Sequence, residues 1–301
     1  MAELKTYLTY GEQVARLQSR GMDVGDLASA EETLRRINYY RLSGYWYPFR
    51  QKSTDGRTDT FYPGTTLADV VALYEFDARL RAATFTALAP IELAIRALLG
   101  HELGRIDPCA HQRPELLGSR ARGQSYDIWL AGFTREQAAS REDFVVHHNE
   151  RYGGTLPVWA AVEIMDWGKL TYLFGFAPDK TRSAVADACE LSAPQVESWL
   201  KALNLMRNTS AHHGRLFNRV HTFVPRLPAA GRHPDFDSAT SAWNRTFGQL
   251  TLVQFLLDRL GVGRPALLPA VIRSYPTVRS VPLHHIGAPL DWAERSSLWG
   301  S

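Results

Sequence analysis

Cysteine is scarce in this chain of 301 residues, which contains only Cys109 and Cys189. Two isolated cysteines form neither a CxxC pair nor a disulfide framework. The adjacent histidine pairs of the sequence also lack the spacing and the cysteine or carboxylate neighbours that zinc ligands need. Because no phosphate-binding loop or dinucleotide fingerprint is present, we expect no metal and no cofactor. The scarcity of cysteine favours a reducing compartment, so we expect a cytoplasmic protein.

Long apolar runs are also missing from the chain. No run approaches the roughly 18 residues of a membrane span, and residues 1–10 contain no signal-peptide core. We therefore expect no membrane partner. Hydrophobic residues nevertheless make up 45% of the chain and aromatic residues 11%. This composition is typical of globular proteins, and a chain of this length can bury an ample core.

Lysine is rare as well, with five residues against 29 arginines, while the net charge is only +3. Arginine binds phosphate with two parallel hydrogen bonds and stacks on bases, which lysine does less well. A GC-rich genome that prefers arginine codons is an alternative explanation of the same bias. The charge balance therefore permits nucleic-acid binding without requiring it.

Strand signals are thin and limited to residues 61–66 and 220–224, whereas helix signals dominate. Thr9–Glu12 and Ser29–Glu32 have the capping-box pattern that starts a helix. Pro90 should kink or divide the longest helical run. The sequence thus predicts an all-α fold. Helices are predicted over residues 9–21, 29–44, 66–103, 135–152, 157–174, 179–189, 192–206, 238–260 and 265–274.

These elements predict one helical body in three parts. Residues 1–60 should form an N-terminal helical extension, residues 61–275 a helical core, and residues 276–301 an irregular C-terminal tail. The weakest point between the parts is the loop 51–60, which is rich in Ser, Asp, Gly and Thr.

The most informative segment ends the predicted helix 192–206 and reads RNTSAH from Arg207 to His212. A metal-free ribonuclease needs a His that moves a proton at the ribose 2′-OH or the leaving oxygen, and an Arg that stabilises charge on the phosphate. Asn208 and His212 are four residues apart, so on a helix they share one face. Arg207 would lie about 100° around the helix from Asn208 and about 7 Å along it from His212. This spacing suits two groups that hold one phosphodiester.

The same Arg-x4-His spacing occurs three times, although chance predicts about one match. Arg279–His284 contains Pro282 and cannot be the interior of a helix. Arg96–His101 lies in a very apolar segment. Only Arg207–His212 combines a helix with the Asn and the polar Thr-Ser pair. The alternative is that His212 is a surface or helix-capping histidine.

Several separate segments carry a common pattern. They are Arg41–Phe49, Tyr74–Arg81, Ile91–Arg96, Pro157–Met165, Arg207–Arg219 and Ile286–Trp292. In this order they resemble the Abi-like proteins of the AbiD/AbiF type, which act in bacterial abortive-infection defence against phage. The resemblance spans most of the chain, from about Tyr40 to Trp292, and is far more specific than the Arg-x4-His spacing alone.

That family is similar to HEPN domains, so the resemblance implies a HEPN-like helical bundle. The Arg-x4–6-His motif of HEPN ribonucleases maps onto Arg207, Asn208 and His212 as the catalytic positions. Two HEPN domains commonly share one composite site, so a single clear motif implies a homodimer. An alternative is that Arg96 and His101 form a degenerate second motif within the chain.

Further residues near these positions could assist. His213 could serve as a spare proton carrier. Arg215 and Arg219 could follow an RNA backbone, or could simply form a solvated face. Glu92 and Arg96 are four residues apart, and we expect them to form a buried or half-buried ion pair near the site.

The resemblance implies a metal-independent endoribonuclease, a toxin-like enzyme of phage defence that is held inactive until it is triggered. Its partners would be the substrate RNA, a second copy of the chain, and a regulatory small RNA or antitoxin that keeps it silent. One alternative is a non-cleaving RNA-binding protein that holds a small structured RNA. Another is a purely structural homodimer.

Overall fold

The structure is a computed structural model and describes residues 6–300. Residues 1–5, which begin the predicted extension and the segment expected to contain no signal peptide, lie outside the described residues. So does Ser301, the last residue of the predicted tail. The chain is 63% helical, and the only sheet in the described range has two strands, which confirms the all-α prediction.

The α-helices of the described range are α1 (Tyr10–Ser19), α2 (Leu27–Arg36), α3 (Tyr39–Trp46), α4 (Leu67–Gly104), α5 (Gln124–Ala139), α6 (Asp143–Arg151), α7 (Val158–Ala161), α8 (Trp167–Phe176), α9 (Asp179–Ala188), α10 (Ala193–Ala211), α11 (Pro234–Ala239), α12 (Thr246–Leu260), α13 (Leu267–Arg273) and α14 (Trp292–Arg295). The antiparallel strands are β1 (Arg50–Ser53) and β2 (Gly56–Phe61). Short 3-10 helices cover Tyr47–Phe49, Ala110–Gln112, Pro114–Leu116, Ser119–Arg122, Val162–Ile164 and Leu283–Ile286.

Helix α4 is the centre of the fold and packs against α3, α7, α8, α9, α10, α12 and α13. It begins after Thr66, whose side chain accepts a hydrogen bond from the Asp69 amide at 3.0 Å. Pro90 lies inside α4 and does not divide it. A proline inside a helix costs about 3 kcal/mol or more. Full burial of neighbours such as Leu88 and Ile91, at about 1.5–3 kcal/mol each, offsets that cost.

By length and composition α4 could also cross a membrane, with a mean hydropathy of 1.5 over its most apolar 18 residues. Its surroundings explain this composition differently, because the helix packs against seven other α-helices of the described residues. It also carries buried ion pairs, from Asp77 to Arg81 and from Glu92 to Arg96. The helix is therefore the core helix of the bundle.

The predicted helix 29–44 is wrong in its start and in its continuity. The helix cap is Asp26, whose side chain accepts a hydrogen bond from the Ser29 amide at 2.9 Å. Helix α2 then ends, and α3 begins after Asn38, whose side chain accepts from the Tyr40 amide at 2.8 Å. Asp and Asn are both strong N-caps, and each accepts a hydrogen bond from an amide in the first turn of its own helix.

Other predicted helix bounds also change. The runs 135–152 and 157–174 are each interrupted, so that α5 and α6 form the first and α7 and α8 the second. The run 238–260 is shortened to α12. Ser238 and Ala239 belong instead to the end of α11, a bend and a turn follow, and Arg245 directly before α12 is extended and forms an isolated antiparallel bridge with Val220. These interruptions come from tertiary contacts that the helical pattern does not contain.

The predicted loop 51–60 contains a β-hairpin instead. Its turn ends at Gly56, whose φ of 121° lies in the left-handed region that glycine tolerates. Asp59 on β2 binds Arg20 at 2.7 Å and thereby ties the hairpin to the end of α1. Only the first residue of the predicted strand 61–66 belongs to a strand, and the second predicted strand contributes a single bridge.

The segment 276–300 packs onto the bundle. Trp299 is fully buried and stacks on Phe247 of α12, with ring centroids 4.4 Å apart. Its indole N–H donates to the Thr251 hydroxyl at 3.2 Å. The two short helical turns of this segment, Leu283–Ile286 and α14, therefore belong to the same hydrophobic core as α12.

Candidate active site at the end of helix α10

Helix α10 presents the motif. It starts at a capping box in which the Gln195 side chain accepts from the Ser192 amide at 2.8 Å. Its apolar face is buried as the sequence predicts, through Val196, Trp199, Leu200, Leu203 and Met206. The helix is regular up to Ala211, so Arg207 and Asn208 project from a well-supported backbone, and His212 is the C-cap.

The Arg207 guanidinium is held in a defined position. Its Cζ lies 5.5 Å from the ring centroid of Phe85 on α4, which is a cation–π contact. One Nη donates to the Asn208 side-chain oxygen at 3.3 Å, whereas the buried Nε has no partner. Within residues 6–300 the guanidinium makes no other hydrogen bond, and because Nε is buried, the Nη groups are the donors that an anion could reach.

The end of α10 is a Schellman motif built from His213 and Gly214. The Gly214 amide donates to the Thr209 carbonyl at 2.7 Å, and a Cβ on Gly214 would lie 2.9 Å from the Thr209 methyl carbon. His213 has a φ of 56°, in the left-handed region that costs a non-glycine residue about 1–2 kcal/mol. The backbone therefore turns sharply directly after His212.

The histidines of the chain differ in their access to solvent. Burial lowers the pKa of His111, His221 and His285 to about 4, so these side chains are neutral near pH 7. His212 is exposed, and its imidazole makes no hydrogen bond within residues 6–300. The ring of His212 is thus free to contact a ligand. Among the same residues, no three His, Cys, Asp or Glu side chains cluster as a metal site.

A buried carboxylate fixes the chain that follows the motif. Asp77 of α4 accepts hydrogen bonds from the amides of Leu216 at 3.2 Å and Phe217 at 2.7 Å. It also accepts from the Tyr45 hydroxyl at 2.6 Å and from Arg81 at 2.5 Å. Burial and the neighbouring carboxylate raise the pKa of Tyr45, so the phenol stays protonated and keeps donating. One side chain thus joins α3, α4 and the loop 212–219 that follows α10, which we call the motif loop.

Two arginines add to this connection between α3 and the motif loop. Arg41 donates to the carbonyl of His213 at 2.6 Å. Arg215 donates to the carbonyl of Gly44, where a Cβ would lie 2.7 Å from the guanidinium. The Arg215 side chain is therefore held within the fold, and its predicted contact to RNA stays a prediction. Arg219 is exposed and bonds only to the Arg215 carbonyl, at 3.3 Å, so its charge faces solvent.

The predicted ion pair between Glu92 and Arg96 is confirmed, with side chains only 15% and 9% exposed. Arg96 also donates to the carbonyl of Val162 and thereby connects α4 to the segment after α7. Glu92 lies about two turns, or about 10 Å, along α4 from the Phe85 that supports Arg207. Both side-chain hydrogen bonds of Arg96 are made within the fold, which favours a packing role for this arginine, whereas His101 is exposed as His212 is.

Three residues of the site could not be assigned from the sequence. Asp77 carries a signal, because a carboxylate within the apolar stripe of a helix must find partners once it is buried. Arg41 and Phe85 have no such signal in the sequence, because their roles depend on how α3, α4 and α10 pack against one another. The motif loop and the segments of the predicted family pattern around Arg41, Asp77 and Arg207 therefore converge in space.

Replacement of Asp77 by alanine should destabilise the fold by about 3–5 kcal/mol, because it leaves Arg81 buried without a counter-charge and two amides without an acceptor. Urea unfolding followed by circular dichroism measures the change. Asp187→Asn, at an exposed position of α9, is the matched control and should stay within about 0.5 kcal/mol of the wild type. Equal stability of both variants would show that the Asp77 contacts contribute little.

Comparison with known families gives one match. The family model described as Abi-like protein matches residues 32–218, which is more than half of the chain. No curated protein and no solved structure matches. The matched range ends at the loop that Asp77 holds, and it includes α3, α4 and all of α10. The chain therefore belongs to the Abi-like family, which points to a role in abortive-infection defence against phage.

Proposed function

We propose that this Abi-like protein is a metal-independent endoribonuclease of the HEPN type that acts as a toxin in phage defence. One observation carries the proposal. The last turn of α10 combines an exposed, unbonded His212 with an Arg207 whose guanidinium is fixed on Phe85 and keeps free donors. A proton carrier and a positioned cation at one helix end are the two kinds of group that transesterification of RNA requires.

The chemistry would use the ribose 2′-hydroxyl as nucleophile. The O2′–P bond forms and the P–O5′ bond breaks, which leaves a 2′,3′-cyclic phosphate and a 5′-hydroxyl. His212 would take the proton of the 2′-hydroxyl or give one to the leaving O5′. Arg207 would stabilise the pentacovalent phosphate, and Asn208 would orient Arg207 through the contact at 3.3 Å. DNA lacks the nucleophile and would not be cut.

The geometry of α10 favours a composite site made by two copies of the chain. Arg207 and His212 are five residues apart, which is about 140° around a helix, so they face different directions. A second copy can supply the second His212, so that one histidine acts as base and the other as acid. A twofold axis would bring the two motifs together and would create two equivalent sets of groups.

Helix α4 offers the surface on which two copies could meet. Only 44% of its most apolar 18-residue window is buried. The exposed stripe contains Phe85, Ala89, Leu93 and Ala97, with Phe85 42% and Leu93 58% exposed. These positions are spaced by four residues along one side of α4. Since Phe85 also supports Arg207, a second copy on this stripe would lie beside the motif.

The cleavage assay compares purified wild type with two variants on total RNA in the presence of EDTA. His212→Ala should lose about 10²–10⁴-fold in rate, and Arg207→Ala about 10²–10³-fold. His147→Ala, at an exposed histidine of α6, is the matched control and should keep the wild-type rate.

Three results would contradict the nuclease: loss of cleavage in EDTA, equal cleavage of DNA, or full activity of His212→Ala. A wild type that binds RNA without cutting it would instead favour the RNA-binding alternative.

The dimer is tested separately by Leu93→Asp, which places a charge in the apolar stripe of α4. The variant should sediment as a monomer, while the wild type sediments as a dimer, because a buried unpaired carboxylate is costly. Val146→Asp, at an exposed apolar position of α6, should leave the mass unchanged. A wild-type monomer, or an unaltered Leu93→Asp dimer, would rule out this interface.

A further inference from the structure

A cavity of about 630 Å³ lies between α8 and α10. Its lining includes Tyr172 and Phe176 of α8, Asn204 of α10, and Phe223. Gly168 and Gly175 of α8 also line the cavity. A Cβ at Gly175 would come no closer than 3.6 Å to the nearest side chain, whereas a Cβ at Gly168 would lie 3.1 Å from the Asp166 carboxylate, so the cavity wall is open at Gly175 and tight at Gly168.

A second cavity of about 460 Å³ adjoins the first and shares Tyr172 with it. It is lined further by Ile128, Trp129 and Arg135 of α5. The Tyr172 side chain is 59% exposed and forms the ridge between the two cavities. Together the cavities make one groove, which we name the Tyr172 groove, with an aromatic ring at its centre and aromatic walls on both sides.

The polar groups of the Tyr172 groove match a planar ligand with both donors and acceptors. Within residues 6–300, the Asn204 amide makes no hydrogen bond. An amide offers a donor and an acceptor side by side, which is the pattern on the edge of a nucleobase. Stacking of a base on Tyr172 would place that edge within the same cavity as Asn204.

The charge around the larger cavity is positive. Glu197 has a side chain only 13% exposed and binds Arg120 at 2.8 Å, Arg182 at 2.8 Å and Lys201 at 2.9 Å. Asp179 also lies 3.7 Å from Arg182. Three cations therefore face two carboxylates. The smaller cavity is nearly neutral. Lys169 there pairs with Glu136 and Asp166, and Arg135, which makes no ion pair in the described chain, balances the second carboxylate.

The Tyr172 groove leads to the proposed active site. Asn204 precedes Asn208 by four residues and His212 by eight, so the three share one face of α10. These separations correspond to about 6 Å and about 12 Å along the helix. A strand bound in the groove could therefore continue past Asn208 to the exposed imidazole of His212.

We infer that the Tyr172 groove binds single-stranded RNA, with one base in each cavity beside the Tyr172 ring and one base edge on Asn204. Two cavities that share one aromatic ridge fit a repeating ligand better than a single nucleotide. The inference rests on the proposed function in taking the bound strand to be the substrate. Stacking on one tyrosine is tolerant of sequence, so the groove would set position more than specificity.

The test measures fluorescence anisotropy of a short fluorescein-labelled single-stranded oligoribonucleotide, with all proteins carrying His212→Ala so that no cleavage occurs. Tyr172→Ala should weaken binding about tenfold, and Asn204→Leu should also weaken it, whereas Tyr172→Phe should bind like the parent. Tyr152→Ala is the matched control, because Tyr152 is 63% exposed and lies outside the groove. Thermal unfolding checks each fold, and Asn204→Leu keeps the test valid if Tyr172→Ala does not fold.

Unchanged binding by both Tyr172→Ala and Asn204→Leu would overturn the inference. So would equal competition by AMP, CMP, GMP or UMP and by the unlabelled strand, since the groove would then hold a free nucleotide. Failure of the nuclease is distinguishable from these results. If Tyr172→Ala weakens RNA binding but the wild type does not cleave RNA, the results support the groove and not the nuclease. If the wild type cleaves RNA but Tyr172→Ala and Asn204→Leu leave RNA binding unchanged, they support the nuclease and not the groove.

Discussion

The site depends on one buried carboxylate, Asp77. Its oxygens accept from Tyr45 of α3, from Arg81 of α4 and from two amides of the loop after the motif. Burial of a charge is unfavourable unless every partner is present, so these contacts form together or not at all. Asp77 thereby couples correct folding of α3 and α4 to the position at which α10 ends.

Helix α4 carries most of what supports the motif. Asp77 holds the loop after α10, Phe85 holds the Arg207 guanidinium, and Arg96 joins the segment after α7. These residues lie about two to three turns apart on one continuous helix, which Pro90 does not divide. Helix α4 thus has two apolar sides. One side packs in the core, and the other forms the exposed stripe beside Arg207.

The sequence predicts what depends on local pattern. The all-α class, the cap and apolar face of α10 and the Glu92–Arg96 pair follow from spacing alone. Prediction from the sequence fails where contacts between residues far apart in the chain determine the structure. The bond from Arg215 to the Gly44 carbonyl follows from no sequence spacing, and a β-hairpin replaces a predicted loop. The Tyr172 groove is invisible in the sequence, because α5, α8 and α10 come together only in the fold.

The central claim is that the ribose 2′-hydroxyl attacks the phosphate with His212 as proton carrier. It is tested most directly by the ends of the RNA fragments that the purified protein produces. The account predicts 2′,3′-cyclic phosphates and 5′-hydroxyls, and no cut at a position where the ribose is replaced by 2′-deoxyribose. Fragments with 3′-hydroxyls and 5′-phosphates, or cleavage at the deoxy position, would contradict it.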